Sequence, residues 1–280
     1  MKKKKIKKHR GCLTFLTFII LVGGLWWFNT YTVKTTEVTI ESHKIKDDIK
    51  IVQLTDLHGS QFGPNNQVII SKIDRINPDF IVVTGDMYSS GDNKGRKIAE
   101  DLIRKLDEKY DVYAVNGEHD NDNNYLETLR DMGVDVLDYE SRDIVIGDTR
   151  LCIYGIDNVF YTDTFDLANE FSLEREKYNI LLAHIENFNA FAKFGMDLSI
   201  CGDTHGGQVR LPYVGALINR GIWFPELEDG EGRYVKGLFE KEKTKLFVSS
   251  GLGNYPVPIR FMNRPEIAVI NLTYGGKNER

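Results

Sequence analysis

The sequence predicts a mixed α/β domain with two packed sheets behind one N-terminal transmembrane helix. Three observations carry that expectation. Apolar runs of five or six residues alternate with amphipathic stretches through the first half. From residue 134 onward strands and turns come to dominate. A basic run followed by eighteen uncharged residues, Gly11 to Phe28, opens the chain.

Lys2, Lys3, Lys4, Lys5, Lys7, Lys8 and Arg10 place seven positive charges in the first ten residues. Eighteen helical residues behind them span ~27 Å, close to the roughly 30 Å hydrocarbon core of a bilayer. Trp26 and Trp27 at the far end suit the lipid–water interface. The basic cluster should stay cytoplasmic, so residues 29–280 are expected outside the cell membrane. A cleaved signal peptide shares the basic start and apolar middle. No A-x-A-like site follows, however, and the apolar stretch exceeds a usual signal core. The expected divisions are a basic tail over 1–10, an anchor over 11–28, a Thr-rich stalk over 29–36, the folded domain over 37–274 and a polar tail over 275–280.

Within the domain, Lys50 to Leu54, Phe80 to Thr84 and Asp111 to Val115 read as buried strands. Helical spacing of apolar residues falls over Asn65 to Ile76, Asn93 to Tyr110 and Asn123 to Met132. From Val134 to Ile156 the pattern is strand after strand, with a turn at Gly147-Asp148. Tyr178 to Ala183 and Asp197 to Cys201 are further strands, with a helix over Glu186 to Gly195 between them. Gln208 to Tyr274 is mostly strands and loops. Early βαβ units followed by an antiparallel-rich part predict one domain of layered sheets.

The 280 residues carry a net charge of −5, with 41% hydrophobic and 28% charged, which excludes wholesale disorder. Removing the seven N-terminal charges leaves −12 on the remaining 270 residues. So acidic a body is a poor general binder of nucleic acid, which is held through Lys and Arg on phosphates. Cys12 falls in the membrane segment, and Cys152 and Cys201 read as small core residues whose spacing fits no zinc motif. No P-loop, dinucleotide fingerprint or G-x-S-x-G elbow is present. No signal for an oligomeric state is present either.

Five polar clusters follow the apolar strands. They are Asp56-Leu57-His58, Gly85-Asp86, Gly117-Glu118-His119-Asp120, His184, and Gly202-Asp203-Thr204-His205-Gly206-Gly207. Ligands of α/β folds bind outside the carboxyl ends of strands, so these segments are expected to converge. Each cluster alone could be a solvated turn or a core histidine. Together they bring four of the six histidines and Asp56, Asp86, Glu118 and Asp203 to strand ends, the ligand mix of a hydrolytic metal site.

This order resembles the calcineurin-like metallophosphoesterases, whose pattern is Asp-x-His, Gly-Asp, Gly-Asn-His-Asp/Glu, a lone His, then Gly-His-x-His. Gly206-Gly207-Gln208, Gly251-Leu252-Gly253, Arg260-Phe261 and Arg264-Pro265-Glu266 resemble the membrane-anchored bacterial branch. That branch includes phosphodiesterases and UDP-diacylglucosamine pyrophosphatases. The resemblance implies a four-layer α/β/β/α sandwich with two mixed sheets, two divalent metals and a bridging water as nucleophile. It places the first metal on Asp56, His58, Asp86 and His205, and the second on Asp86, Glu118, His184 and Asp203. It makes His119 the catalytic group, on the phosphate or the leaving oxygen.

Two positions depart from the family, both at the second metal: Glu118 stands for Asn and Asp203 for His. An oxygen-rich set favours Mn²⁺, with Fe, Zn²⁺ and Mg²⁺ as the other ions considered. Four carboxylates also neutralise two divalent ions, which lowers the attraction for a phosphate dianion. Phosphodiesters or pyrophosphate diesters are therefore expected over monoesters, or else a trivalent iron. The alternative is that Glu118 and Asp203 only hydrogen-bond, leaving one metal and low activity. Arg260 and Arg264 are candidates to hold a substrate phosphate, against a plain surface salt bridge. The function expected is a membrane-anchored phosphoesterase acting on phosphodiester or pyrophosphate bonds, with a lipid or envelope substrate in view. A catalytically weak metal- or ligand-binding surface protein on the same fold, or a phosphomonoesterase, are the alternatives.

Overall fold

The computed structural model describes residues 2–157, 161–162 and 164–276. Of the expected polar tail, residues 277–280 lie outside the described residues. Helix α1 (Lys2–Tyr31) leads into strands β1 (Lys34–Ser42) and β2 (Ile49–Leu54). Then α2 (Gln67–Ile76), β3 (Phe80–Thr84), α3 (Asn93–Asp107), β4 (Asp111–Val115) and α4 (Asn123–Met132) alternate. Strands β5 (Asp135–Val136), β6 (Glu140–Ile146), β7 (Thr149–Gly155) and β8 (Tyr178–Leu182) follow, then α5 (Phe188–Phe194) and β9 (Leu198–Cys201). Two short hairpins come next: β10 (Arg210–Leu211) with β11 (Gly215–Ala216), and β12 (Ile218–Asn219) with β13 (Ile222–Trp223). Strands β14 (Gly237–Lys241), β15 (Thr244–Val248) and β16 (Glu266–Tyr274) complete the chain.

Two six-stranded mixed sheets result, ordered β1-β16-β2-β3-β4-β5 and β14-β15-β9-β8-β7-β6. Their inner faces share a core that includes Ile51, Phe80, Val82, Ile153, Ile180 and Ile200. Helices α2, α3 and α4 cover the outer face of the first sheet, contributing Ile69, Ile73, Leu102 and Leu129 to a second core. Helix α5 covers the second sheet through Phe188 and Phe191. The order of layers is therefore α/β/β/α, as expected. Cys152 and Cys201 are buried and free.

Local chemistry sets the boundaries. Helix α2 starts two residues later than its periodicity predicts, because Asn65 and Asn66 take left-handed backbone at φ 51° and 58°. Helix α5 starts at Phe188 because the Asn187 side chain accepts the Ala190 N–H as an N-cap. The expected stalk over 29–36 is corrected. Asn29 and Thr30 are buried at the end of α1, where Asn29 Oδ1 accepts Met262 N–H at 3.0 Å and Thr30 Oγ1 accepts Arg260 N–H at 3.3 Å. Lys34–Thr36 already belong to β1, which runs parallel to β16 and turns Val38 and Ile40 toward the inter-sheet core. The alternation of β-branched residues in KTTEVTIES is the strand signal.

Candidate metal centre

The five polar clusters sit at the carboxyl ends of β2, β3, β4, β8 and β9, three strands from one sheet and two from the other. Backbone bonds fix the loops to one another. Asp56 N–H donates to Gly85 O (3.0 Å), His58 N–H to Asp86 O (3.0 Å) and Gly202 N–H to His184 O (3.0 Å). Buried Gln53 joins the sheets by donating to both Thr84 Oγ1 (2.7 Å) and Cys201 O (2.9 Å). Asp120 braces two loops, accepting Met87 N–H and Gly117 N–H at 2.7 Å each. Gly85 is required where it stands, since a Cβ there would lie 2.4 Å from Gly117 N.

The site residues themselves occupy strained backbone. Asp56, His58, Asp86, Asp203 and His205 have φ of 52°, 44°, 54°, 68° and 49°. Non-glycine residues rarely hold left-handed backbone, and such strain concentrates at functional sites.

The side chains converge. One ligand atom from each of Asp56, His58 and His205 lies within 4.8 Å of the others, and the same holds for Asp56, Asp86 and His184. The Nε2 atoms of His58 and His205 face each other at 3.1 Å. Asp86 Oδ2 lies 3.6 Å from His58 Nε2 and 3.3 Å from His184 Nε2, at the centre of the group. His119 donates its backbone N–H to Asp86 Oδ1 at 2.9 Å, and its ring also falls within 4.8 Å of the His58 and Asp86 ligand atoms.

The donor set fits divalent cations. Thr84 O can only accept, so His184 Nδ1 donates to it at 2.7 Å and Nε2 faces the centre. Burial opposes the imidazolium, but Asp86, Asp56 and Asp203 outweigh it and hold the His184 pKa well above its ordinary value. That Nε2 and Asp56 Oδ2 are buried atoms with no hydrogen-bond partner among the described residues. Burial pushes the Asp56 carboxyl up to about 7, with Asp86 and Asp203 adding to it against His184. Burial also pushes His58 down to about 4 and, with Arg260, holds His205 well below the imidazole range. Two neutral imidazoles and a third that draws a proton from its surroundings, set among crowded buried carboxylates, are an environment that a cation would satisfy.

The departures from the family differ in geometry. Asp203 Oδ1 lies 3.8 Å from His184 Nε2, while Arg220 donates to Oδ2 through Nε at 2.8 Å and also through Nη2. Glu118 lines the cleft with its side chain 42% exposed, 3.5 Å from His119 Nε2.

Two expectations are corrected. Arg260 is 1% exposed, with its guanidinium donating to Gly253 O, Ser250 O and Asn263 O, and Nη2 3.5 Å from His205 Nδ1. It holds the loop behind His205 and is turned away from the cleft. Arg264 donates to Thr32 Oγ1 at 2.8 Å and lies 4.4 Å over the Phe28 ring, tying α1 to the domain. The arginine in the cleft is Arg220, which also grips buried Glu186 with two 3.0 Å bonds. It is the one charged residue between Leu211 and Pro225, a sequence signal that passed unused. Tyr255 was also missed; its ring stacks on His58 (4.7 Å, 12°) and meets the edge of His119 at 4.5 Å.

These groups open into a cleft of about 660 Å³ whose far wall is apolar, with Val209, Leu217, Ile218, Val257 and Ile259. A family profile described as calcineurin-like phosphoesterase matches residues 49–207. The chain is 27% identical over 264 residues to the uncharacterized metallophosphoesterase YkuE of Bacillus subtilis, covering 89% of each. It is 29% identical over 234 residues to the phosphodiesterase YaeI of Escherichia coli, covering 80% of this chain and 82% of that one. It is 27% identical over 264 residues to a Danio rerio transmembrane protein with a metallophosphoesterase domain, covering 85% of this chain and 57% of that one.

Proposed function

Since the chain belongs to the calcineurin-like phosphoesterases and is a hydrolase of phosphoric esters, we propose that it is a membrane-anchored phosphodiesterase or pyrophosphatase using two divalent ions. The observation that carries this reading is the convergence of Asp56, His58, Asp86, His184 and His205 around buried ligand atoms, two of which have no hydrogen-bond partner among the described residues. Asp56, His58, Asp86 and His205 take one ion; Asp86, His184, Asp203 and Glu118 take the other. Mn²⁺ is favoured by the oxygen-rich second set. Bound there, such ions would supply Lewis acidity to the phosphoryl oxygens and lower the pKa of the attacking water. His119 is the catalytic residue, at the cleft and within reach of a phosphate or leaving oxygen. Tyr255 packs on the face of His58 and against the edge of His119.

The relative named as a phosphodiesterase supports a diester over a monoester. The apolar wall of the cleft supports a lipid-linked or envelope substrate. Helix α1 supports the anchor: Thr14–Tyr31 is long and apolar enough to cross a membrane and is mostly exposed. The basic cluster before it supports a cytoplasmic N-terminus and a catalytic domain outside the cell membrane.

Metal analysis of the full chain purified without chelators, with hydrolysis of an aryl phosphodiester and its monoester in Mn²⁺, tests the reading. We expect two ions per chain, faster diester turnover, and a loss of about 100-fold or more in His119→Ala. A chain that binds no metal and leaves both esters intact would sink it. A second reading, one ion and weak activity, is favoured by Arg220 on Asp203 and by the outward Glu118. One ion per chain in the same analysis selects it.

A further inference from the structure

The richest exposed apolar surface outside α1 lies around the mouth of the catalytic cleft. Trp223 is 60% exposed at the end of the second hairpin, and Val257 and Ile259 are each 50% exposed on the loop between β15 and β16. Tyr213, at the turn of the first hairpin, is fully exposed. The hairpins and the loop form one neighbourhood. Leu217 and Ile218 share the cleft with Val257 and Ile259, and the groove beside the first hairpin is closed by Met262.

Two further observations say what covers this surface. The first is its place on α1. Trp26 Nε1 donates to Pro258 O at 2.9 Å, so Val257 and Ile259 flank a residue that touches the helix directly. Trp26 lies five residues inside the end of the apolar stretch Thr14–Tyr31. At 1.5 Å per residue that is roughly 7 Å below the end of the segment. If α1 crosses the bilayer, the tip of this loop is carried to the depth of the acyl-chain boundary. Asn29 and Thr30 bond the same loop, which fixes the domain to the helix.

The second observation is charge. In a body that is strongly acidic, residues 211–225 and 254–263 contain no Asp or Glu and only Arg220 and Arg260. Glu226 lines the groove beside the first hairpin but is paired there with Arg210 at 2.7 Å, and Glu228 and Asp229 follow beyond the second hairpin. Aromatic and aliphatic tips without carboxylates are what the interfacial layer of an anionic bilayer accepts.

We propose that the two hairpins and the 255–262 loop form a second membrane contact, seated in the interfacial layer of the bilayer that α1 crosses. The proposal rests on the anchor reading of α1. It places the mouth of the cleft at headgroup level, where phosphoesters of membrane amphiphiles reach the metal centre while their chains remain in the lipid.

The three tryptophans, Trp26, Trp27 and Trp223, allow the two readings to be tested apart. The full chain is reconstituted in vesicles of phosphatidylcholine and phosphatidylglycerol. One variant, Trp26→Phe with Trp27→Phe, leaves Trp223 as reporter; the other, Trp223→Phe, leaves the helix pair. Lipid dibrominated near the carbonyl end of the acyl chain should quench Trp223 about twofold or more, as for an interfacial residue. Adding Val257→Glu and Ile259→Glu should remove that quenching. Trp223 emitting as in water and untouched by brominated lipid, while the helix pair is quenched, overturns the second contact and leaves the anchor. A blue-shifted but unquenched Trp223 overturns it in favour of a covering protein surface. An unquenched helix pair overturns the anchor and the proposal together.

Discussion

On one side of the metal centre, Asp56, His58 and His205 are buried, and their loops are tied by backbone bonds across both sheets. On the other side, only His184 is comparably fixed. Glu118 faces solvent and Asp203 already pairs with Arg220. On the proposed two-ion reading, the first side would accept an ion with little rearrangement. On the second, an ion would compete with a guanidinium for Asp203 and would have to draw in an exposed carboxylate. Glu118 and Asp203, the two positions that depart from the pattern this sequence resembles, both fall on the unfinished side. Asp86 connects the two, and burial of its carboxyl is outweighed by His184 and His58, which hold its pKa well below the usual range.

The comparison can be broken most severely at that shared residue. Asp86→Asn should lower diester hydrolysis about 10³-fold, the several kcal/mol that Lewis-acid catalysis supplies, and metal analysis should find both sites depleted. Loss of one ion only would show that the two sides are independent.

The fixed side depends on support from behind, and that support has a pH signature. Glu266 accepts Ser250 N–H at 3.1 Å and pairs with Lys34 at 2.9 Å. Burial opposes its charge, but Lys236 and Lys34 outweigh burial and hold its carboxyl at about 2. A carboxyl depressed on folding contributes stability above its unfolded pKa and loses it as pH falls toward the folded value. On the order of 3 kcal/mol should therefore disappear between about pH 4.5 and pH 2. Denaturant titrations across that range should show the slope in the parent chain and a flatter one in Glu266→Gln.

Arg220 should set the ion affinity of the unfinished side. Arg220→Met removes the charge competing for Asp203, so half-maximal activity should need roughly tenfold less Mn²⁺. An unchanged Mn²⁺ requirement would mean that Asp203 is no ligand. The smallest effect is expected at Glu118. Glu118→Asn keeps a side-chain oxygen for the second ion, so it should change diester turnover less than about threefold. A far larger loss would show that the second set needs the charge of this carboxylate.

Much of this was legible in the sequence. The strands over 80–84 and 111–115 and the helix over 123–132 match their apolar periods residue for residue, because those residues have one face to bury. Convergence of the polar clusters followed from strand ends alone. Backbone handedness was not legible: nothing in Asp56-Leu57-His58 announces φ of 52° and 44°, since the surrounding loops impose it. Nor were the destinations of the arginines. Arg260 and Arg264 look free in a loop rich in proline and aromatics. Their partners are carbonyls of that loop and residues more than 230 positions earlier in the chain, at the end of α1. Arg220 reaches Glu186 and Asp203 only once a hairpin and a strand end are brought together.

The origin of the ligands has a consequence for folding. Asp56, His58 and Asp86 come from loops of the first sheet, whereas His184, Asp203 and His205 come from the second. On the proposed ligand set, an ion held between them would be a rivet through the sandwich, absent from the unfolded chain, and its binding energy would also be folding energy. At free ion 100 times the Kd, one such rivet adds about 2.7 kcal/mol to the native state. Metal supply in the surroundings would then set the lifetime of the folded protein as well as its turnover.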